Sequence, residues 1–137
     1  MLLLGVALVP LQAQATRQFR TRLSPVPVAA YTATVVGSGT ASATLTGTRL
    51  VVTGTYAGLA SPATKASLYR SQKPGMRGDL LLPLTVSGGT TGTIAGEFTL
   101  TAAQVAEVTA GRYYVQLSSE KAAEGNLWGW LLAQENR

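Results

Sequence analysis

Ser118 and Lys121 stand three residues apart in Ser118-Ser-Glu-Lys121, a spacing at which some acyl-transferring enzymes set a lysine beside a nucleophilic serine. That pairing needs a helix to align the two side chains, and this segment reads as a strand end running into a turn. Gly37-Ser38-Gly39 is glycine-rich but lacks the lysine and the following helix of a phosphate loop, so it reads as a turn. The chain has no histidine and no cysteine. Their absence removes the commonest general base and the commonest transition-metal ligands, and no disulfide can form. Asp79, Glu97, Glu107, Glu120, Glu124 and Glu135 are the only carboxylates, and they fall in different elements. Glu120 and Glu124 could meet in one loop, but a paired-acid catalyst also needs a cleft and sugar-binding aromatics, and a calcium loop needs denser oxygen ligands. No catalytic, cofactor-binding or metal-binding residue is expected, and the chain reads as a non-enzyme.

Recognition chemistry is better represented. Trp128 and Trp130 are two apart, so a strand turns both rings to one face. With Tyr69 and Tyr114 nearby they would form an aromatic patch, and Arg70, Lys73 and Arg77 in the adjoining loop would supply a basic rim. Partner binding is therefore assigned to Trp128, Trp130, Tyr69, Arg70, Lys73 and Arg77. Two other readings stay open. Both tryptophans could fill the core, since Trp is mostly buried, or the rings could stack on a glycan or small molecule.

The elements that must carry these residues are strands. Gly39–Thr46 alternates strictly, with Ala41, Ala43 and Leu45 on one face and threonine or serine on the other. Gly47-Thr48 turns it into Arg49–Tyr56, completing a hairpin. Lys65–Arg70 is a short strand with Ala66 and Leu68 inward, and Asp79–Val86 reads as an edge strand because Pro83 has no amide hydrogen. Thr93–Leu100 follows, then a helix opened by the capping box Thr101-Ala-Ala-Gln104 and stopped at Gly111. Arg112–Ser118 and, after a turn over Ser119–Gly125, Leu127–Leu132 complete the set. Short strands at regular spacing predict an all-β, Greek-key, immunoglobulin-like β-sandwich with one short helix.

Composition agrees with one folded domain. The 137 residues are 46% hydrophobic and only 12% charged, about half the usual charged fraction of roughly 25%. The net charge is +5, yet the basic residues are scattered apart from Arg17, Arg20 and Arg22, with no interleaved aromatics. Nucleic acid is not expected as a partner. Those three arginines read first as a solvated strand face and second as a surface for an anionic partner. Met1–Leu11 is almost wholly apolar and Ala13-Gln14-Ala15 follows as a cleavage pattern, so residues 1–15 are expected to be a signal peptide or a retained hydrophobic arm. No basic residue precedes the run, and it is shorter than the roughly 20 residues that span a bilayer. Membrane contact is expected only if it is retained.

The order of motifs resembles the CHRD, or chordin-like, domain. The matching pieces are Leu23-Ser24-Pro25-Val26-Pro27, the Gly39–Leu45 strand, Leu50–Leu59, Ala66–Tyr69 with Gly78, Gly111–Val115 and Gly125–Gly129. The resemblance runs from about Phe19 to Leu132 within a domain placed at 16–132, leaving 133–137 as a tail. Members typically carry A-H-I-H where this chain has Ala66-Ser67-Leu68-Tyr69, and Y-V-N-V-H at Tyr114–Ser118. Their closing G-E-I-R-G is here Gly125-Asn126-Leu127-Trp128-Gly129. The resemblance implies a retained scaffold whose polar face has been replaced. The expected role is a non-catalytic structural or accessory subunit, periplasmic or secreted, docking on other protein subunits of a larger assembly, a membrane protein complex among the candidates.

Overall fold

The computed structural model describes residues 16–27 and 34–134. Residues 1–15, read as leader or arm, and residues 135–137 of the expected tail lie outside the described residues. The described chain forms β1 (Thr16–Pro25), β2 (Ser38–Thr46), β3 (Arg49–Ala57), β4 (Ala63–Arg70), β5 (Asp79–Val86) and β6 (Gly92–Thr99). Then follow α1 (Ala102–Thr109), β7 (Tyr113–Ser119), β8 (Ala122–Trp130) and β9 (Leu132–Ala133). No helix among the described residues is long and apolar enough to cross a membrane.

Local pattern accounts for several elements directly. The β2–β3 hairpin turns at Gly47-Thr48, with Gly47 at φ 62°, a left-handed value that glycine adopts without a Cβ clash. Ala41, Ala43, Leu45, Leu50 and Val52 are buried on its inner face. The capping box forms as read: the Gln104 N–H donates to the Thr101 hydroxyl at 3.1 Å and the Thr101 N–H to the Gln104 amide oxygen at 2.9 Å. Val108 is the fully buried helix residue, and Gly111 ends the segment at φ 78°.

Architecture departs from the expectation. The chain is all-β with one short helix, but the strands close into an eight-stranded antiparallel barrel instead of an immunoglobulin-like Greek-key sandwich. The ring runs β2-β3-β6-β5-β4-β7-β8-β1, and β1 returns to β2. Two strands make the corners. β1 pairs with β2 from Thr16 to Leu23, then passes to β8, setting Ser24 and Pro25 opposite Trp128 and Leu127. β5 pairs with β4 and reaches β6 only through Thr85 and Val86. The stretch holding Pro83 is therefore paired on one side only, consistent with an edge-like proline.

The closing strand was legible only by its solvated arginine face; its buried face was concealed. In β1 the buried apolar residues are Phe19 and Leu23, with half-buried Thr21 between them, so the period-two signal is broken. The segment read as a turn over Ser119–Gly125 is likewise mostly strand: only Glu120-Lys121 turns, and β8 begins at Ala122. Ala133, assigned to the tail, pairs with Phe19 in β9.

Each corner carries a glycine that lets chains approach. A Cβ on Gly129 would lie 2.5 Å from the Arg22 carbonyl oxygen and 2.5 Å from the Thr21 hydroxyl. A Cβ on Gly96 would lie 2.5 Å from Leu84 Cδ2. The first contact is with backbone and cannot be relieved by a rotamer change. Gly129→Ala is expected to lower stability by about 1–3 kcal/mol, read as a lower urea midpoint at unchanged slope.

Candidate functional site

Strand β7 is buried on both faces, which a half-solvated barrel strand would not be. Tyr113, Val115 and Leu117 point into the core. Tyr114, Gln116 and Ser118 face outward, yet they too are buried. Register explains what they meet. Tyr69, Tyr114 and Trp130 are directly opposed across β4, β7 and β8, and Ser67, Gln116 and Trp128 form the next row. The aromatic side chains that the sequence grouped are thus brought onto one face.

They pack as a unit. Tyr69 stacks on Tyr114 with ring centroids 5.1 Å apart, Tyr114 lies 4.4 Å from Trp130, and Trp128 meets Trp130 edge-on at 4.7 Å. Pairs of this kind contribute about 0.5–1.5 kcal/mol each beyond the area they bury. The cluster lies outside the hydrophobic core, so the tryptophans are not core filler. Nor do they form a bare patch: Tyr114 is 1% and Trp130 8% exposed, while Tyr69 and Trp128 are half-buried.

The cover is the loop from Ser71 to Gly78. Trp130 Nε1 donates to the Ser71 hydroxyl at 2.9 Å, and the Gly78 N–H donates to the Tyr114 hydroxyl oxygen at 3.0 Å. The Ser71 hydroxyl in turn donates to the Lys73 carbonyl. Arg77 stands over Trp128, 5.4 Å from the ring centroid, a cation–π contact. Gly78 is required where the loop rejoins β5, because a Cβ there would overlap the Arg70 carbonyl.

The basic residues assigned to the rim are used unequally. Arg77 belongs to the cluster. Arg70 is engaged elsewhere: its Nη1 lies 3.0 Å from Glu107 Oε2, which Arg112 also approaches at 3.6 Å. Tyr113 donates to the other Glu107 oxygen at 2.8 Å, so the helix is tied to β4 and β7. Lys73 is exposed and has no carboxylate partner among the described residues. A cleft of about 330 Å³ opens beside the loop, lined by Arg70, Met76, Arg77, Asp79 and Arg112.

Sequence reasoning missed Met76 and Leu80, which are 41% and 63% exposed. Leu80 is paired with Tyr69 and continues the aromatic row. The signal was the apolar run Leu80–Leu82 beside Pro83, but a β-bulge shifts the register between Leu68 and Tyr69 and redirects Leu80 outward. Gln116 was missed as well. Its amide donates weakly to the Glu124 carbonyl at 3.4 Å, and its buried Oε1 accepts no hydrogen bond among the described residues. Of the reactive motifs, Ser118 is buried in β7 and Lys121 lies in the following two-residue turn, without a helix to align them. Among the described residues no three His, Cys, Asp or Glu side chains group as a metal site.

Against known proteins, the chain matches the CHRD domain over residues 19–131, from within β1 to just past β8. It belongs to that family. No curated protein and no solved structure gives a match.

Burial, followed by the hydrogen bond to Glu107, raises the Tyr113 hydroxyl above its ordinary value of 10.0, and burial raises Tyr114. A phenol whose folded value is raised contributes stability below pH 10.0 that is lost as pH climbs toward the folded value. Urea stability is therefore expected to fall above about pH 10. Tyr113→Phe should flatten that fall and cost about 1 kcal/mol at neutral pH. Gly78→Ala should displace the covering loop, seen as a shift of tryptophan emission to longer wavelength.

Proposed function

We propose that this chain is a non-catalytic, exported structural or accessory subunit that docks on a larger protein assembly through the outer face of β4, β7 and β8. The observation that carries this reading is a surface of exposed Leu80 and Met76, half-buried Tyr69 and Trp128, and Arg77, with the buried rings of Tyr114 and Trp130 packed against Tyr69 and Trp128. Aromatic and arginine side chains fixed before binding lose little entropy on docking, which is why they dominate interface energetics. Membership of the CHRD family, a β-rich domain often involved in protein interactions, supports the same direction. Export to the periplasm or cell exterior rests on Met1–Leu11 and Ala13-Gln14-Ala15, and membrane association requires that residues 1–15 be retained.

A glycan or small-molecule stacking site on these rings is less well supported. Stacking needs an open ring face, and Tyr114 and Trp130 are covered while Arg77 stands over Trp128. The test is isolation from the native source with identification of cross-linked chains and of the mature N-terminus. A defined partner chain is expected, and Trp128→Ala or Leu80→Asp should weaken its binding by about 2 kcal/mol, roughly thirtyfold. Thr44→Ala on the opposite half should leave binding unchanged. A monodisperse monomer with no partner would overturn the proposal.

A further inference from the structure

The opposite half of the barrel presents different chemistry. Outward positions of β1, β2, β3 and β6 align in transverse rows: Arg22, Thr40, Thr55 and Thr93 form one, and Arg20, Ser42, Thr53 and Ala95 the next. Neighbouring strands stand about 4.8 Å apart and successive rows about 6.7 Å. The result is a grid of hydroxyls with two guanidinium groups along one margin. Beside Arg22 the face dips into an open cleft of about 660 Å³, where Thr40, Thr55, Thr91 and Thr93 stand among Tyr56 and Ala57.

Elsewhere among the described residues the arginines are engaged, Arg77 by the Trp128 ring and the rest by carboxylates. Arg49 is paired with Glu97, and Arg70 and Arg112 with Glu107. Arg20 and Arg22 are exposed and have no carboxylate partner among the described residues. Arg17, out of phase with them on the same strand, is also exposed and unpaired among those residues. Like charges set side by side without counter-charge repel, and an anionic ligand relieves that repulsion.

We propose that this face binds a linear anionic polysaccharide, with Arg20 and Arg22 engaging its acidic groups and the Thr and Ser rows engaging its hydroxyls. A sugar polymer matches exposed hydroxyl rows that run across four strands beside two guanidinium groups without a carboxylate partner. Among the described residues the face offers no exposed aromatic ring for base stacking, which single-stranded nucleic acid would use. Among the described residues, Leu132 is the one exposed large apolar residue that borders it, opposite Arg20, so those residues offer little to insert into a bilayer. The Thr and Ser rows lie on β2, β3 and β6, on the other half of the ring from the aromatic platform, and β1 is the strand between the two.

Polygalacturonate is the probe, with uncharged dextran as the neutral polymer, followed by titration calorimetry on the full chain. The protein should bind polygalacturonate and not dextran, with affinity falling as salt rises. Arg20→Glu with Arg22→Glu should weaken binding by about tenfold or more, while the charge-matched Lys73→Glu with Arg77→Glu should not. Thr40→Val with Thr55→Val should weaken binding without changing its salt dependence. If charge reversal perturbs the urea midpoint, Arg20→Gln with Arg22→Gln replaces it. Equal loss in both charge-reversed pairs would reduce the effect to net charge and overturn the proposal. Absent binding to polygalacturonate, equal binding to dextran, or binding to phosphatidylglycerol vesicles alone would overturn it too. Leu80→Ser on β5, away from β1, should leave the titration unchanged, so this result stands or falls separately from docking.

Discussion

Two short corner pairings hold this barrel shut: Ser24 and Pro25 against Trp128 and Leu127, and Thr85 and Val86 against Ala95 and Ile94. Each joins four strands to four others through two residue pairs, and each depends on close approach that a side chain would block. Gly129 admits the β1 backbone at one corner, and Gly96 admits Leu84 at the other. Closure matters energetically because it leaves most strand edges paired and encloses one continuous core from Phe19 to Leu131. A chain without disulfides draws its stability from that core. Each large apolar side chain buried there contributes roughly 2 kcal/mol.

Closure also divides the outer surface into two halves of unlike chemistry. One half buries aromatic rings beneath a loop and ties the helix to the wall through Glu107. The other exposes threonine, serine and unpaired arginine in regular rows. The difference follows from what lies above each half. Over β7 the Ser71–Gly78 loop excludes water, so rings are favoured there and polar groups need partners; the unpaired Gln116 oxygen shows the cost of placing an amide in that setting. Over β2 and β3 the face is open, and hydroxyls keep their hydration.

Legibility in the sequence followed the range of the interaction. The β2–β3 hairpin and the capping box were readable because each is settled within about ten residues by alternation or by a fixed three-residue spacing. Trp128 and Trp130 on one face were readable for the same reason, and Tyr114 joined them through register. The inward face and the pairing of strand β1 were hidden because Thr21 interrupts Phe19 and Leu23, and its partners β2, β8 and β9 come from both ends of the chain. The roles of Ser71, Gly78 and Arg77 were hidden too, because each meets a residue more than 35 positions away or across a strand pair.

By itself the sequence determined the class of structure and the reagents on hand: period-two strands, one capped helix, and no imidazole or thiol anywhere in the chain. These are properties of composition and of neighbouring residues, and no folding event alters them. Only tertiary structure decided that the strands form a ring, that the tryptophans lie outside the core yet under cover, and that Arg20 and Arg22 stand beside hydroxyl rows. The physical reason is that alternation specifies which face a side chain occupies, while the partner strand's hydrogen bonds specify which distant residues share that face.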